Sequence, residues 1–345
     1  MSFNTDKLIN GTDYDYVTRT SLNQGVLQTT GFVNFENINQ AGNWSLGLLQ
    51  MDFFYREKPW YAGQFVRKIT PLIDIPKECI MFITTLLNRQ KKKLLSVLVR
   101  NVDKAFEESI VDLPIKNDAI DFEFIKSFNN ELEALRIEEL ETYLTVTGLK
   151  DYILSEEEEK ILKKYSTFKY EYFNIVDIFK IKNTSNILSS DIIKGSGTTP
   201  YLCASSENNA VSSYISYNDK YLDEGNCIFI GGKTFVVTYQ ENDFYSNDSH
   251  NLALYLKNEN FRNKFVQLFM ATCVNKSLSF QYSWGDSISG TKIKKDKIYL
   301  PVVDEEVDYN SMKILITAVQ KLVIKELVKY TDNKINSTKK QINCK

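Results

Sequence analysis

The chain repeats itself once, and this duplication limits what it can fold into more than any other feature. YVTRTSLNQGV, from Tyr16 to Val26, returns about 185 residues later as YLCASSENNAV, from Tyr201 to Val211. Gly42-Asn43 is answered by Gly225-Asn226, and YREKPWY (Tyr55 to Tyr61) by YQENDFY (Tyr239 to Tyr245). Leu113-Pro114 matches Leu300-Pro301 at an offset of 187, and IDFEFI (Ile120 to Ile125) then matches VDYNSM (Val307 to Met312). The offset drifts by a residue or two between blocks, as loops allow. A chain of 345 residues built this way is expected to form two related domains, each with its own core.

Past the last block the register holds. Ile125, Phe128, Leu132, Leu135 and Leu140 align with Met312, Leu315, Val319, Leu322 and Leu327. Both sets advance in steps that lie along one helix face. Upstream, SLGLLQMDFFY and CIFIGGKTFVVTYQ are β-rich runs broken by Gly, Asn and Asp, which reads as strands and turns. Each unit is therefore expected to be α+β and to end in a long helix. Related units carrying the same apolar stripe can pack about a pseudo-two-fold axis. The two helices are then expected to form an antiparallel coiled-coil spacer. A helix from about 120 to 145 would span roughly 37 Å, close to one turn of B-DNA. The copies differ at their starts: FKYEYFNIVDIFKIKNTSNI (Phe168 to Ile187) precedes the second and reads as an opening strand pair, while the first has only a few residues before Leu8. Either the first copy is trimmed or another element supplies that strand.

Composition excludes several classes of function. The cysteines Cys79, Cys203, Cys227, Cys273 and Cys344 are far apart, with no C-x-x-C and a single histidine, His250, so no metal site is expected and the thiols are expected to be reduced. No stretch approaches the roughly 18 apolar residues that span a bilayer, and MSFNTDKLING has no export core, so a cytoplasmic protein without a membrane partner is expected. Net charge is −2, yet residues 131–160 hold ten acids against three bases, so the rest of the chain is mildly basic. The acidic run 156–159 would repel a nucleic acid, so it is expected to be either solvated or against a partner. None of the six prolines neighbours another, which leaves no Pro-Pro-aromatic loop for methylating a flipped base. There is no G-x-x-x-x-G-K-[ST], and one histidine gives acid–base chemistry little material. No catalytic residue is expected, and no cofactor in this chain.

The duplicated blocks carry a resemblance. GSGTTPYLCASSENNAV, EGNCIFIGGKTFVVTYQ and KIKKDKIYLPVVDEEVDYNSMKILI resemble the target-recognition domain of type I restriction–modification specificity subunits. YDYVTRTSLNQGV with GNWSLGLLQMDFFYREKPWYAGQFVRKI is similar to the version in BcgI-like, type IIB systems. The resemblance implies a target-recognition domain at 1–118, a spacer helix region at 119–165, a second recognition domain at 166–305, a spacer helix at 306–335 and a tail at 336–345. It also implies a subunit that reads a bipartite, non-palindromic site in double-stranded DNA. Its partners would be DNA adenine methyltransferase and nuclease subunits, with S-adenosylmethionine held by the methyltransferase. Two alternatives stay open: a stand-alone DNA-binding or interaction protein, and the recognition half of a fused single-chain restriction–modification enzyme.

Such proteins meet DNA through loops, so polar loop residues are the candidates. Arg19, Thr20, Ser21 and Asn23, with Ser205, Ser206, Asn208 and Asn209, offer short side chains for bases or phosphates, although turn chemistry alone would also select them. Tyr61, Gln64, Arg67 and Lys68 form a basic segment, and Lys233 follows Gly231-Gly232, where backbone could approach DNA. Trp60 and Phe244 suit a core instead. Tyr282, Ser283 and Trp284 lead into Lys292, Lys294, Lys295 and Lys297, a phosphate track or a solvated face; Lys91, Lys92 and Lys93 are weighed the same way.

Overall fold

Strand pairing carries the sequence repeat into three dimensions. The computed structural model describes residues 5–283 and 285–343, with side chains of the last helix described to residue 336. Trp284, Cys344 and the end of the tail placed at 336–345 lie outside the described residues. The chain divides into two α+β units, residues 1–140 and 141–345.

In the first unit, strand Tyr14–Val17 runs antiparallel to Val26–Thr30 and parallel to Trp60–Ala62, with Tyr16 opposite Tyr61. In the second, Thr199–Leu202 runs antiparallel to Val211–Ile215 and parallel to Tyr245–Ser246, with Tyr201 opposite Tyr245. The antiparallel register even slips at the same point, between Tyr16 and Val17 and between Tyr201 and Leu202. A second sheet follows in each. Asn43–Gly47 lies between Asp52–Arg56 and Val66–Ile69, and Cys227–Ile230 lies between Val237–Gln240 and Leu252–Leu256.

The central strands are buried along their whole length, and helices cover them. In the first unit Trp44, Leu46 and Phe53 pack against Leu87, Val102 and Phe106, and the indole of Trp44 donates to Thr84 Oγ1 at 2.7 Å. In the second, Ile228, Ile230 and Leu254 pack against helix Lys264–Leu278 through Val266, Met270 and Val274. That helix starts at Asn263, whose side chain accepts from Val266 N at 3.2 Å. Each buried aliphatic or aromatic side chain contributes about 2 kcal/mol, which is why these sheets need a helical cover at all.

The second unit holds two additional strands. Lys169–Asn174 pairs along Lys297–Val303, and Phe179–Asn183 pairs with Leu252–Leu256. These come from the segment read as an opening strand pair, and the described residues of the first unit contain no counterpart. The difference shows in burial: Leu252–Leu256 is buried throughout, whereas Val66–Ile69, its equivalent, exposes Arg67 and Lys68.

Each unit closes with a hairpin and a helix. The turns use two left-handed residues, Asn117 and Asp118 (φ 50° and 59°) in one, Asp304 and Glu305 (φ 48° and 68°) in the other, as two-residue hairpins require. Asp121 and Asp308 then cap the helices Phe122–Val146 and Tyr309–Asn343, accepting from Phe124 N and Ser311 N, both at 2.9 Å. Ile125, Met312 and Leu315 are buried, and Leu140 is half-buried. Phe128, Leu132, Leu135, Val319, Leu322 and Leu327, expected to pack in a spacer, keep 39 to 58% of their surface exposed. Burial along each helix is thus partial, since Leu144 near the end of the first and Ala318, Val328 and Thr331 along the second are buried as well.

The acidic run opens helix Glu156–Lys164 behind a Ser155–Glu158 capping box, a placement that favours negative charge. Glu158 turns inward and binds Lys321 Nζ at 3.1 Å, and Lys321 also donates to the Ile153 carbonyl at 2.9 Å. Cys79, Cys227 and Cys273 are buried free thiols, and burial pushes Cys227 and Cys273 up to about 12. Among the described residues no helix is long and apolar enough to cross a membrane, and no group of side chains could hold a metal ion.

Candidate nucleic-acid interface

The first duplicated block folds into an unusual turn, and it does so twice. Asn23, Gln24 and Gly25 have φ of 46°, 53° and 79°; Asn208, Asn209 and Ala210 have 47°, 52° and 68°. Consecutive left-handed residues are costly unless glycine or asparagine occupies them or the surroundings impose them. Here the supports are the same in both units. Asn23 Nδ2 donates to the Val26 carbonyl at 3.1 Å and Asn208 Nδ2 to that of Val211 at 3.0 Å. Thr20 Oγ1 accepts from Leu22 N, and Ser205 Oγ from Glu207 N, each at 3.1 Å. A buried donor pins the middle carbonyl from beneath: Arg56 on Gln24, and Gln240 Nε2 on Asn209 at 2.9 Å.

Arg56 is a buried charge, and among the described residues no carboxylate forms an ion pair with it. Its Nε donates to Ser45 Oγ at 2.9 Å and its guanidinium faces the rings of Phe54 and Trp60. Burial pushes it down to about 10, with only the charge of Asp15 opposing.

Around the turn, three loops converge at one tip of each unit. In the first unit these are residues 18–23, 48–51 and 63–65. A Cβ on Gly47 would stand 2.9 Å from Arg19 Cα, Leu48 N donates to the Phe65 carbonyl at 2.9 Å, and Gly63 N to that of Val17 at 2.8 Å. Arg19, Thr20, Leu49, Gln50 and Gln64 line a cleft of about 660 Å³ there, and the Arg19 guanidinium lies 5.4 Å over the Phe65 ring. In the second unit the loops are residues 203–208, 231–234 and 247–250. A Cβ on Gly231 would meet Ala204 Cβ at 2.7 Å, and one on Gly232 would meet the His250 carbonyl at 2.4 Å. Thr234 Oγ1 donates to the Ala204 carbonyl at 3.0 Å. Asp248 joins the tip by accepting from Lys233 Nζ at 3.0 Å and from His250 Nδ1 at 2.7 Å. Burial alone would raise its carboxyl, but the bonds from His250 and Lys233 outweigh that and hold it at about 2.

The structure thus gathers Arg19, Thr20, Ser21, Asn23 and Gln64 at one tip, and Ser205, Ser206, Asn208, Asn209 and Lys233 at the other. Their roles differ. The side chains of Asn23, Asn208 and Asn209 bond the protein's own backbone, Asn209 Nδ2 reaching the Tyr239 carbonyl at 3.0 Å. Ser21 donates to the Asp52 carboxylate. Arg19, Gln64, Ser206 and Lys233 present exposed polar groups.

Other expected DNA contacts lie elsewhere. Tyr61 is fully buried, its hydroxyl accepting from Val33 N at 3.0 Å and donating to the Asn34 carbonyl at 3.1 Å, so the core claims it and not a phosphate. Trp60 and Phe244 are likewise fully buried. Arg67 and Lys68 sit on strand Val66–Ile69, where Arg67 forms a bidentate pair with Asp103 at 2.9 and 3.1 Å. Tyr282 donates to the Asp296 carboxylate and stacks on Phe235. Lys292 binds the Asp286 carboxylate, and Lys294 is exposed nearby. Lys91, by contrast, borders the first tip, pairing at 2.6 Å with the Asp52 carboxylate that also accepts from Ser21. Leu49, Gln50, Phe65, Asp248 and His250 were not read from the sequence. The signal for them was Gly47 against Gly231 at the repeat offset, which marks a second loop pressed against the first.

Comparison with known proteins follows the same division. A family model described as the type I restriction modification DNA specificity domain matches residues 1–142 and again residues 168–344. The specificity subunit of the type II restriction enzyme BcgI from Heyndrickxia coagulans is 22% identical over 268 residues, which are 75% of this chain and 72% of that one. The crystal structure of the type I restriction–modification S subunit from M. genitalium superposes with a TM-score of 0.57 at 12% identity, over 97% of this chain and 88% of that one. At that identity the likeness concerns the fold.

Proposed function

The chain belongs to the type I restriction–modification DNA specificity family, whose members are non-catalytic recognition subunits, and from this premise we propose that each three-loop tip reads one half of a bipartite DNA target. The observation that carries the reading is the pair of tips: one backbone built twice, with different side chains displayed on it. A shared scaffold fits each tip to the same groove geometry, while Arg19, Gln50 and Gln64 in one and Lys233, Asp248 and His250 in the other display different donors and acceptors. Two unlike readers select two unlike half-sites, so the target is non-palindromic.

The long helices that follow each unit, with their exposed stripes, suit a spacer role and the docking of partners. Those partners are a DNA adenine methyltransferase, which would hold S-adenosylmethionine, and a nuclease. The methyl transfer and strand cleavage would be theirs. Sequencing the methylated adenines of a host with and without the gene tests this reading. A split motif disappears with the gene, and a methyltransferase co-purifies with the chain; an unchanged methylation pattern together with no co-purifying methyltransferase refutes it.

A further inference from the structure

The two tips hold different chemistry at one equivalent position, and sheet register identifies it. Asn43 pairs with Arg56 as Cys227 pairs with Gln240, which aligns Leu46 with Ile230. Leu46 pairs with Arg67 and Ile230 with Leu252, so the residues two places before these partners, Phe65 and His250, occupy the same site. Both carbonyls sit against the neighbouring glycine loop: that of Phe65 accepts from Leu48 N, and that of His250 leaves no room for a Cβ on Gly232. In the first unit the ring at this site supports the Arg19 guanidinium. In the second it is an imidazole that keeps two thirds of its side-chain surface exposed, 67%.

We infer that His250, aimed by Asp248, is the base-selecting residue of the second tip, and that it takes a base presenting an exocyclic amino group, adenine or cytosine. The inference rests on the DNA-reading role proposed above and deepens it. Asp248 accepts from the His250 backbone N at 2.9 Å and from the ring Nδ1 at 2.7 Å, so the loop and the ring are fixed by one carboxylate. That carboxylate is held ionised and can only accept, which places the ring proton on Nδ1. With the single ring proton there, Nε2 is an acceptor. In the major groove the amino groups of adenine and cytosine are the donors that match it. Lys233, on the other oxygen of Asp248, offsets a negative charge that would otherwise repel the phosphates nearby. At the first tip the same site carries the donors of Arg19 instead, a group suited to the acceptor edge of guanine.

The test is selection from a randomised duplex library by the full-length wild-type chain and by its His250→Ala and His250→Arg variants. His250 lies on an exposed loop, so both variants keep the fold. The wild-type chain enriches two half-sites. His250→Ala flattens one position of one half-site, lowering discrimination there by about tenfold or more, and leaves the other half-site alone. His250→Arg shifts the preference at that position to guanine. Identical selections by all three proteins overturn the inference while leaving the DNA-reading role standing, and so does an equal loss across both half-sites. A wild-type chain that enriches no sequence overturns the role itself and this inference with it.

Discussion

Replacing Arg56 by glutamine and by alanine separates the two things this side chain does in the first unit, carrying a buried charge and pinning the left-handed turn. The side chain is 3% exposed, bonds Ser45 and the Gln24 carbonyl, and lies against Trp60. Its fall from 12.5 to about 10 corresponds to roughly 3 kcal/mol of penalty on the charged form in the folded state, present at any pH below about 10 and relieved only as pH climbs toward 12.5. Both substitutions remove that penalty and the charge-assisted bonds that offset it, so the informative quantity is the difference between them. Glutamine can donate to the Gln24 carbonyl, as Gln240 does to Asn209 at 2.9 Å in the other unit. Alanine leaves that carbonyl without a donor, at about 2 kcal/mol, and gives up a methylene and an amide of packing, about 1 kcal/mol more. Arg56→Gln is therefore expected within about 1 kcal/mol of wild type, and Arg56→Ala about 3 kcal/mol below Arg56→Gln. Urea unfolding followed by tryptophan fluorescence in a Trp284→Phe background measures this, because Trp44 and Trp60 then report the first unit alone. Equal midpoints for the two variants would refute the argument that a donor beneath the turn holds it.

Three further outcomes follow from the same geometry. Asp248 has a folded value depressed from 3.8 to about 2, so its contribution is present above the ordinary value and lost as pH falls through about 2; discounted for exposure it amounts to about 1 to 2 kcal/mol. Urea titrations between about pH 5 and 2 should show that acid loss in the second unit of the wild type and not in Asp248→Asn. Tyr61→Phe should cost about 1 to 2 kcal/mol in the first unit through the orphaned Val33 and Asn34 groups while leaving the selected DNA sequence unchanged; an altered sequence at unchanged stability would place the hydroxyl at the DNA. Asn208→Ala should lower the melting of the second unit by about 1 to 2 kcal/mol and Asn208→Gly by less, because glycine keeps the φ of 47° without strain; equal losses would show that only the bond to Val211 matters.

Much of the architecture was legible because the features that specify it are local. The Asn-rich blocks encode a left-handed turn, the Asn117-Asp118 pair a tight hairpin, and the stripe from Ile125 onward a helix with one apolar face. The segment Phe168 to Ile187 alternates in a way that announces its two strands. The site was legible only in part. Serines and asparagines that look like DNA ligands in sequence are also those that stabilise turns, and the structure spends Asn23, Asn208 and Asn209 on that task. Tyr61 stands near basic residues in the chain, yet its strand Trp60–Ala62 runs inside the sheet, and both Trp60 and Tyr61 are fully buried there.

By itself the sequence determined that this protein is one α+β unit made twice, because hydrophobic period, turn residues and caps act over a few positions and are written next to one another. Tertiary structure alone decided which loops meet. Gly47 lies against Arg19, and Lys233 on one loop meets the Asp248–His250 pair on another, because sheet register brings distant segments side by side and no local preference marks a partner so far along the chain.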